Sequence, residues 1–155
     1  MPIPEYVARI RTHIGPDLLW LPSVSAVVVD PDGSVLLGQR ADTGRWSVIS
    51  GVVEPGEDPA AALAREVLEE TGVEVVPERI TSVRAHPLTY PNGDRCEYLN
   101  VAFRCRPVGG TARVNDDESV AVGWFAPDAL PELDEHGGIC LKHALSGARE
   151  AWFAV

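Results

Sequence analysis

The sequence predicts a single domain of the α/β (α+β) class, with a mixed β-sheet between helices. The chain has 155 residues, which suits one hydrophobic core. Apolar residues make up 45% of it and charged residues 23%, the ordinary composition of a folded globular protein. After a short N-terminal helix, strand-like and helix-like segments follow in the order β-β-α-β-β-β-α, which is typical of a sheet with helices packed on it.

The first part of the chain is predicted to form a helix and two strands. Residues 4–13 have the spacing of a short amphipathic helix, which Gly15 would stop. Residues 19–30 are apolar on both faces, as expected of a buried strand. An Asp-Pro-Asp-Gly turn then leads into a short strand at 35–40. We expect these two strands to form a hairpin.

The next segments are an extended piece at 46–53 and a well-delimited helix. Asp58 is a favourable N-cap residue, and Pro59 follows it at the first helical position. Residues 60–71 continue the helical pattern, and Gly72 is placed to end the helix.

The rest of the chain is predicted to be mostly strand, followed by a last helix over about 138–150. A Pro-Asn-Gly-Asp sequence at 91–94 predicts a hairpin turn. The strand-like segments are 73–76, 79–86, 95–105 and 119–125.

Net charge and patterning exclude several classes of protein. With 23 acidic and 13 basic residues, the formal charge of −10 disfavours binding to a nucleic-acid polymer. A phosphate-bearing ligand would need metal ions to offset this charge. The apolar runs are too short to cross a membrane, and the first residues lack the pattern of a secretory signal.

The cysteines indicate a reducing compartment, and we expect a cytoplasmic protein. Cys96, Cys105 and Cys140 are odd in number and lack the spacing of a zinc site, so reduced thiols are expected. Cys96 and Cys105 are nine positions apart in one strand-like segment, so they should point to opposite faces.

Three glutamates crowd one face of the predicted helix at 60–71. Glu66, Glu69 and Glu70 are related as i, i+3 and i+4, so they fall within an arc of roughly 100° and repel one another. Mg²⁺ or Mn²⁺ would remove this repulsion, because hard cations prefer carboxylate and phosphate oxygens. A solvated acidic face is the alternative. The opposite side is expected to pack on the sheet and consists of Ala60, Ala64, Val67 and Leu68.

The segment from Gly51 to Val73 resembles the signature of the Nudix hydrolases, G-x5-E-x7-R-E-U-x-E-E-x-G-U, at every specified position. The segments before and after it also look like the family's first hairpin and its later strand, so the resemblance covers about residues 20–135. It implies an α/β/α sandwich in a single domain over 1–155, with an N-terminal helical arm and a C-terminal helix. It also implies hydrolysis of a nucleoside diphosphate linked to another moiety.

By this resemblance, Glu66, Glu69 and Glu70 are expected to bind Mg²⁺, with Mn²⁺ as an alternative, and the carbonyl of Gly51 is expected to add a ligand. Arg65 would orient the glutamates, from its i,i+4 position beside Glu69. One departure concerns the loop backbone, because Ile49-Ser50 stands where many members have Pro-Gly.

Two glutamates are candidates for the group that takes a proton from the attacking water. Glu66 lies within the motif. Glu118, in the loop Asn115–Glu118, matches the family's downstream glutamate and is also a candidate metal ligand. Glu57 has two interpretations, a favourable charge at the helix N-terminus or a contact with Arg65 or a metal.

Substrate contacts are less clearly indicated. Arg40, Arg84 and Arg95 are candidates for phosphate or ribose contacts, and Tyr90 for stacking on a base. Relatives that cleave ADP-ribose tend to have a proline about where Pro87 stands, and those that cleave dinucleoside polyphosphates a tyrosine about where Tyr90 stands.

We favour ADP-ribose or a related nucleoside diphosphate sugar as the substrate. Nucleoside triphosphates and dinucleoside polyphosphates are the alternatives, and the sequence offers no obvious amide or acid to read a base edge. Two other classes are a non-catalytic Nudix-fold regulator and an acidic interaction protein without a small ligand. The N-terminal helix has no obvious place in the core, so a homodimer in which this arm crosses to a partner subunit is expected.

Overall fold

The structure, a computed structural model, describes residues 3–155 and contains three helices and seven strands within that range. The helices are α1 (Glu5–Ile14), α2 (Pro59–Thr71) and α3 (Glu135–Ala144). The strands are β1 (Leu19–Val28), β2 (Val35–Arg40), β3 (Trp46–Ser47), β4 (Ile49–Val52), β5 (Val73–Thr89), β6 (Arg95–Gly110) and β7 (Ser119–Phe125).

The strands form two sheets, and the predicted mixed α+β class is confirmed. The larger sheet has the order β4-β1-β6-β5, in which β1 and β6 run parallel and the other pairs are antiparallel. The smaller sheet has the order β3-β2-β7. One core cluster packs α2 residues such as Leu63 and Val67 against β1. A second cluster packs Cys140, Leu141 and Ala144 of α3 with β1 and β2 residues. The helices therefore cover the strands from two sides.

The predicted hairpin of β1 and β2 is wrong. Both edges of β1 are taken, by β4 and β6, while β2 pairs with β3 and β7 in the other sheet. A single bridge between Val29 and Val35 is what remains of the hairpin. The extended segment 46–53 is likewise divided between the sheets, since β3 belongs to the smaller one and β4 to the larger one.

Several boundaries differ from the prediction, and β6 continues to Gly110 rather than ending at 105. The segments 73–76 and 79–86 form one strand, β5, whose pairing with β6 is interrupted around Pro77. The last helix is α3 at Glu135–Ala144, because the side chain of Asp134 caps it by accepting from the Gly137 N–H. After α3 the chain turns back and Trp152 pairs with β5 through its backbone. The 91–94 turn is confirmed as the link between β5 and β6.

Helix α2 has the predicted limits but presents a different face to the sheet. Pro59 is its first residue, and Gly72 ends it in the left-handed conformation at φ 71°. Leu68 is 45% exposed and Ala60 is exposed, so these two residues were wrongly placed on the packing side. Val67 is buried and Ala64 packs against the core, as predicted. The helix instead buries Ala62, Leu63, Glu66, Val67 and Glu70. Hydrophobicity alone misplaces this face because two carboxylates belong to it.

Helix α1 packs on its own chain. Val7 joins a third buried cluster with Leu19, Leu21 and Tyr98, and Arg11 donates to the carbonyl of Arg95 at 2.9 Å. The helix thus has a place in the core that the sequence did not reveal. The cysteines are free and buried, with Cys96 in this third cluster and Cys105 in the α2 cluster. Within residues 3–155, no helix is long and apolar enough to cross a membrane.

Candidate active site

The site is built around the close approach of β4 to α2. Gly51 lies so near the Glu66 side chain that a Cβ atom at position 51 would overlap the Glu66 carboxyl group. Only glycine allows this approach, which places the backbone of β4 beside the carboxylate. The Ile49-Ser50 dipeptide before it forms regular strand in β4, so the departure from Pro-Gly leaves this contact intact.

Glu66 is a buried carboxylate with one oxygen engaged and one left over. Its side chain is 2% exposed, and its Oε1 accepts from Arg65 Nη1 at 2.7 Å. No group in residues 3–155 reaches its buried Oε2. Burial raises the pKa of Glu66 to about 7, although the Arg65 hydrogen bond lowers it.

Glu70 is still more perturbed. It is 5% exposed, and its buried Oε1 finds no partner in the described part of the chain. Burial, followed by the charges of Glu118 and Glu66, raises the pKa of Glu70 to about 9. Glu69 lies at the rim instead, with its side chain half exposed and its Oε2 3.4 Å from Arg65 Nη1.

Arg65 holds the acidic groups of the motif in place. Its Nε and Nη2 donate to the two oxygens of Glu57 at 2.8 and 2.9 Å, and Nη1 donates to Glu66. This two-point contact lowers the pKa of Glu57 and raises that of Arg65. The structure therefore pairs Glu57 with Arg65, one of its two interpretations. Arg65 also lies 3.4 Å from the carbonyl of Val52, beside Gly51.

A cleft of about 740 Å³ opens next to these carboxylates, between the two sheets. Gly51, Glu70 and Glu118 line one part of it, and Arg40 and Tyr90 line it further along. Arg40 is held by a two-point contact with Asp42, at 2.9 and 2.6 Å. The fold thus brings together most of the residues that the sequence singled out.

Arg84 and Arg95 do not line the cleft. Arg84 lies beneath it, with Nη2 2.8 Å from His136 Nδ1. Arg95 is exposed at the start of β6, where its carbonyl accepts from Arg11. Of the three candidate arginines, Arg40 is therefore the one whose position suits a phosphate contact in the cleft.

Sequence reasoning missed a group of polar side chains at the floor of the cleft. We call it the polar floor and define it as Ser23, Ser25, Ser50, Asn100 and His136; each of them lines the cleft or bonds to a residue that does. Ser25 is completely buried and Asn100 is 1% exposed. Serines inside the apolar run of β1 and an asparagine in the middle of β6 were the available signal. The sequence offered no obvious amide to read a base edge, and the structure places the amide of Asn100 at the cleft.

The residues present fit a hard divalent cation. Glu66 Oε2 and Glu70 Oε1 are buried acceptor atoms without partners in the described range 3–155, which is costly unless a cation or donor joins them. Among the described residues, no three acidic, histidine or cysteine side chains converge into a ready-made metal cage. Mg²⁺ is compatible with this arrangement, because it usually keeps several waters and takes oxygens from substrate phosphates.

Comparison with known proteins agrees with this geometry. The model of the NUDIX domain matches residues 19–143. A MutT-like protein of Streptomyces ambofaciens is 42% identical over 127 residues, which are 81% of this chain and 77% of that protein. The NAD-capped RNA hydrolase NudC of Vibrio atlanticus is 34% identical over 115 residues, 73% of this chain but only 40% of NudC.

Solved structures show the same fold. A MutT NUDIX hydrolase from Burkholderia pseudomallei superposes with a TM-score of 0.66 at 30% identity, covering 81% of this chain and 98% of the other. An ADP-ribose pyrophosphatase from Streptococcus suis gives a TM-score of 0.62 at 27% identity, covering 88% of this chain and 96% of the other.

Proposed function

Because this chain belongs to the Nudix family of hydrolases, which act on phosphoric anhydride bonds, we propose that it is a Mg²⁺-dependent pyrophosphohydrolase of nucleoside diphosphate derivatives. One observation carries the proposal: the buried carboxylates of Glu66 and Glu70 each keep an oxygen without a partner among residues 3–155, and Glu70 lines a large cleft. A non-catalytic binding module or an acidic interaction surface gives no reason to bury and hold these groups.

We assign the metal ligands to the carbonyl of Gly51 and the carboxylates of Glu66, Glu69, Glu70 and Glu118. Bound Mg²⁺ supplies charge neutralisation of the diphosphate and lowers the pKa of water. Mn²⁺ has the same ligand preference and is the alternative. The net charge of −10 makes this neutralisation necessary before an anionic substrate can approach the carboxylates.

The remaining residues of the motif have positioning roles in this proposal. Arg65 holds Glu66 by one bond and is itself fixed by the two-point contact with Glu57. We assign the proton-taking role to Glu118, because it lines the cleft whereas Glu66 does not.

The favoured substrate is ADP-ribose or a related nucleoside diphosphate sugar. The cleft of about 740 Å³ is large enough for a ligand with a bulky group on each side of the diphosphate, and Tyr90 lines it. The fold resemblance to an ADP-ribose pyrophosphatase is compatible with this choice. A nucleoside triphosphate is the second candidate, and it is supported by the buried amide of Asn100, which lines the cleft and is a residue type suited to reading a base edge.

The proposal predicts hydrolysis of diphosphate bonds that stops when divalent cations are removed. Competing substrates at equal concentration, with Mg²⁺ and then Mn²⁺, should give the highest kcat/KM for ADP-ribose or another nucleoside diphosphate sugar. The measurement is the identity of the released phosphates. A nucleoside triphosphate with kcat/KM about tenfold higher would select the second candidate; tight binding without hydrolysis of any compound would select the regulator.

A homodimer remains a prediction. Its expected interface is an apolar strip on the larger sheet rather than the N-terminal arm. Trp20 is 60% exposed and Leu99 38% exposed, and strand register places both on one face of the larger sheet with Pro22. An exposed apolar strip of this kind usually marks a surface that a protein partner covers. We expect a dimer by light scattering and a monomer for Trp20→Glu. Because α1 packs on its own chain, deleting residues 1–18 tests arm exchange separately; a monomeric full-length chain would rule out both forms.

A further inference from the structure

The polar floor lies on the opposite side of the larger sheet from α2. Strand register pairs Ser25 with Ser50 and Asn100 with Ser23, so these side chains share one sheet face. Gly51, which alternates with Ser50, faces α2 and Glu66. The polar floor is therefore separate from the carboxylates, although both border the same cleft.

Hydrogen bonds connect the side chains of the polar floor to one another. Arg84 has no acceptor, so its bond to His136 Nδ1 leaves the ring proton on Nε2, which donates to Ser25 Oγ at 2.9 Å. Burial, with His86 and Arg84 nearby, lowers the pKa of His136 to about 3, so the ring stays neutral. Ser25 Oγ also shares a hydrogen bond with Ser50 Oγ, 2.8 Å away, in which either hydroxyl group can be the donor.

The Asn100 amide points its nitrogen at two hydroxyl groups of β1. The amide nitrogen of Asn100 donates to Ser23 Oγ at 3.0 Å and to Ser25 Oγ at 2.9 Å. Both amide protons are thereby used. The carbonyl oxygen, Oδ1, is buried and has no partner in residues 3–155. Leaving such an acceptor unpaired costs free energy unless a ligand supplies a donor.

Flat rings lie next to this acceptor on the same sheet face. Tyr98 precedes Asn100 by two positions on β6, and His86 is its partner on β5. The His86 ring stacks on His136 at 4.1 Å between centroids and faces Tyr98 at 6.2 Å. Tyr90 donates to or accepts from Tyr98 through their hydroxyl groups at 2.7 Å, which fixes the second ring. His86, Tyr90 and Tyr98 all line the cleft.

The position suits the base end of a nucleotide whose phosphates lie at the carboxylates. Two strand spacings, of about 4.8 Å each, separate β6 from β4, so Asn100 lies roughly 10 Å from the β4 backbone. That separation leaves room for a ribose between the diphosphate and the base.

We propose that Asn100 is a specificity-determining residue that accepts a hydrogen bond from the exocyclic amino group of the substrate's nucleobase, with the His86 and Tyr98 rings as its aromatic wall. The inference rests on the proposed function for the orientation of the ligand. It goes beyond that function by naming the feature that is read: an amino group. A base that lacks this group leaves Asn100 Oδ1 unpaired in a filled pocket, which is the situation that gives strong discrimination.

Matched nucleotides that differ by one amino group test this proposal. The pairs are AMP against purine riboside 5′-monophosphate and GMP against IMP, bound to the metal-free full-length protein and measured by calorimetry. We expect at least one pair to favour the amino-bearing member by about 10-fold or more. Asn100→Ala should reduce that ratio to near one. Val108→Ala, an exposed position on the same strand outside the cleft, should keep the wild-type ratio.

A kinetic arm separates this inference from the proposed function. For a hydrolysed nucleoside triphosphate, Asn100→Ala should raise KM about 10-fold with little change in kcat, while an abasic ribose 5-triphosphate should be cleaved equally well by both proteins. Two results would overturn the role of Asn100. The first is that the wild type binds both members of every nucleotide pair with equal affinity. The second is that Asn100→Ala raises KM for the abasic compound as much as it does for the nucleoside triphosphate. If the protein hydrolysed none of the substrates but still bound the amino-bearing nucleotides more tightly, only the proposed function would be overturned. Asn100→Asp, which keeps an acceptor, checks folding and should retain more discrimination than Asn100→Ala.

Discussion

Replacing Glu70 with glutamine is expected to lower kcat by at least about 100-fold while the protein becomes more stable without metal. The carboxylate is buried beside the cleft, and glutamine removes the charge that a divalent cation would need. Loss of one ligand weakens the charge stabilisation that metals provide, which is worth several kcal/mol in the transition state. Steady-state kinetics over a range of Mg²⁺ concentrations measure this effect.

The stability gain has a defined pH dependence. The pKa of Glu70 is about 9 in the folded protein against an ordinary value of 4.5, so between these two pH values the folded state holds a proton that the unfolded state releases. Wild-type stability is therefore fully present below about pH 4.5 and is lost as the pH rises through 9. Glu70→Gln lacks this loss, and at pH 7 the difference is on the order of 3 kcal/mol. Thermal unfolding in EDTA from pH 5 to pH 9 measures it.

Glu69→Gln is the matched control for this prediction. Its side chain is half exposed, so the same change should lower kcat without a comparable gain in metal-free stability. Near-normal turnover of both variants at low Mg²⁺ would contradict the assignment of these glutamates as ligands. A Tm of Glu70→Gln that follows the wild-type pH profile in EDTA would contradict the burial argument.

Gly51→Ala is expected to abolish most of the activity through a single methyl group. The added Cβ would overlap the Glu66 carboxyl, so either β4 or the glutamate must move. Overpacking of this kind costs about 1–3 kcal/mol of stability, and displacement of Glu66 should reduce kcat by about 100-fold. Unfolding by urea and steady-state kinetics report the two effects separately.

Gly138→Ala provides the control, because a Cβ there meets no atom within 4 Å and the residue lies in α3. This variant should keep full activity and gain up to about 1 kcal/mol, since alanine favours helix over glycine. If Gly51→Ala were as active as Gly138→Ala, the close approach of β4 to Glu66 would have no catalytic importance.

The sequence predicted the limits of α2 well because local chemistry determines them. Pro59 can begin a helix, and Gly72 can take the left-handed conformation that ends it. The spacing of the glutamates similarly predicted that they share a face. Which face packs on the sheet was not predictable from hydrophobicity, since Glu66 and Glu70 are buried while Leu68 is exposed.

Long-range pairing explains the other differences. β1 and β2 look like a hairpin, yet partners distant in sequence occupy both edges of β1. The polar floor was missed for the same reason. Asn100, Ser25 and His136 come from three separated segments, and no spacing rule connects them before the fold is known.

The division of segment 46–53 between the two sheets has a consequence for how the protein can diversify. Ser47 donates to Asp134, and the Trp46 N–H donates to the carbonyl of Glu132, so this segment is tied to the α3 side as well as to β1. A change in its path would disturb Gly51 and the α3 cap together. The β5–β6 hairpin carries Asn100 and its neighbouring rings, and it contacts α3 through His136 and the carbonyl of Ala144 rather than through Gly51 or the Asp134 cap. Substitutions in that hairpin can therefore change the substrate preference. The part of the cleft that contains Gly51, Glu70 and Glu118 stays the same.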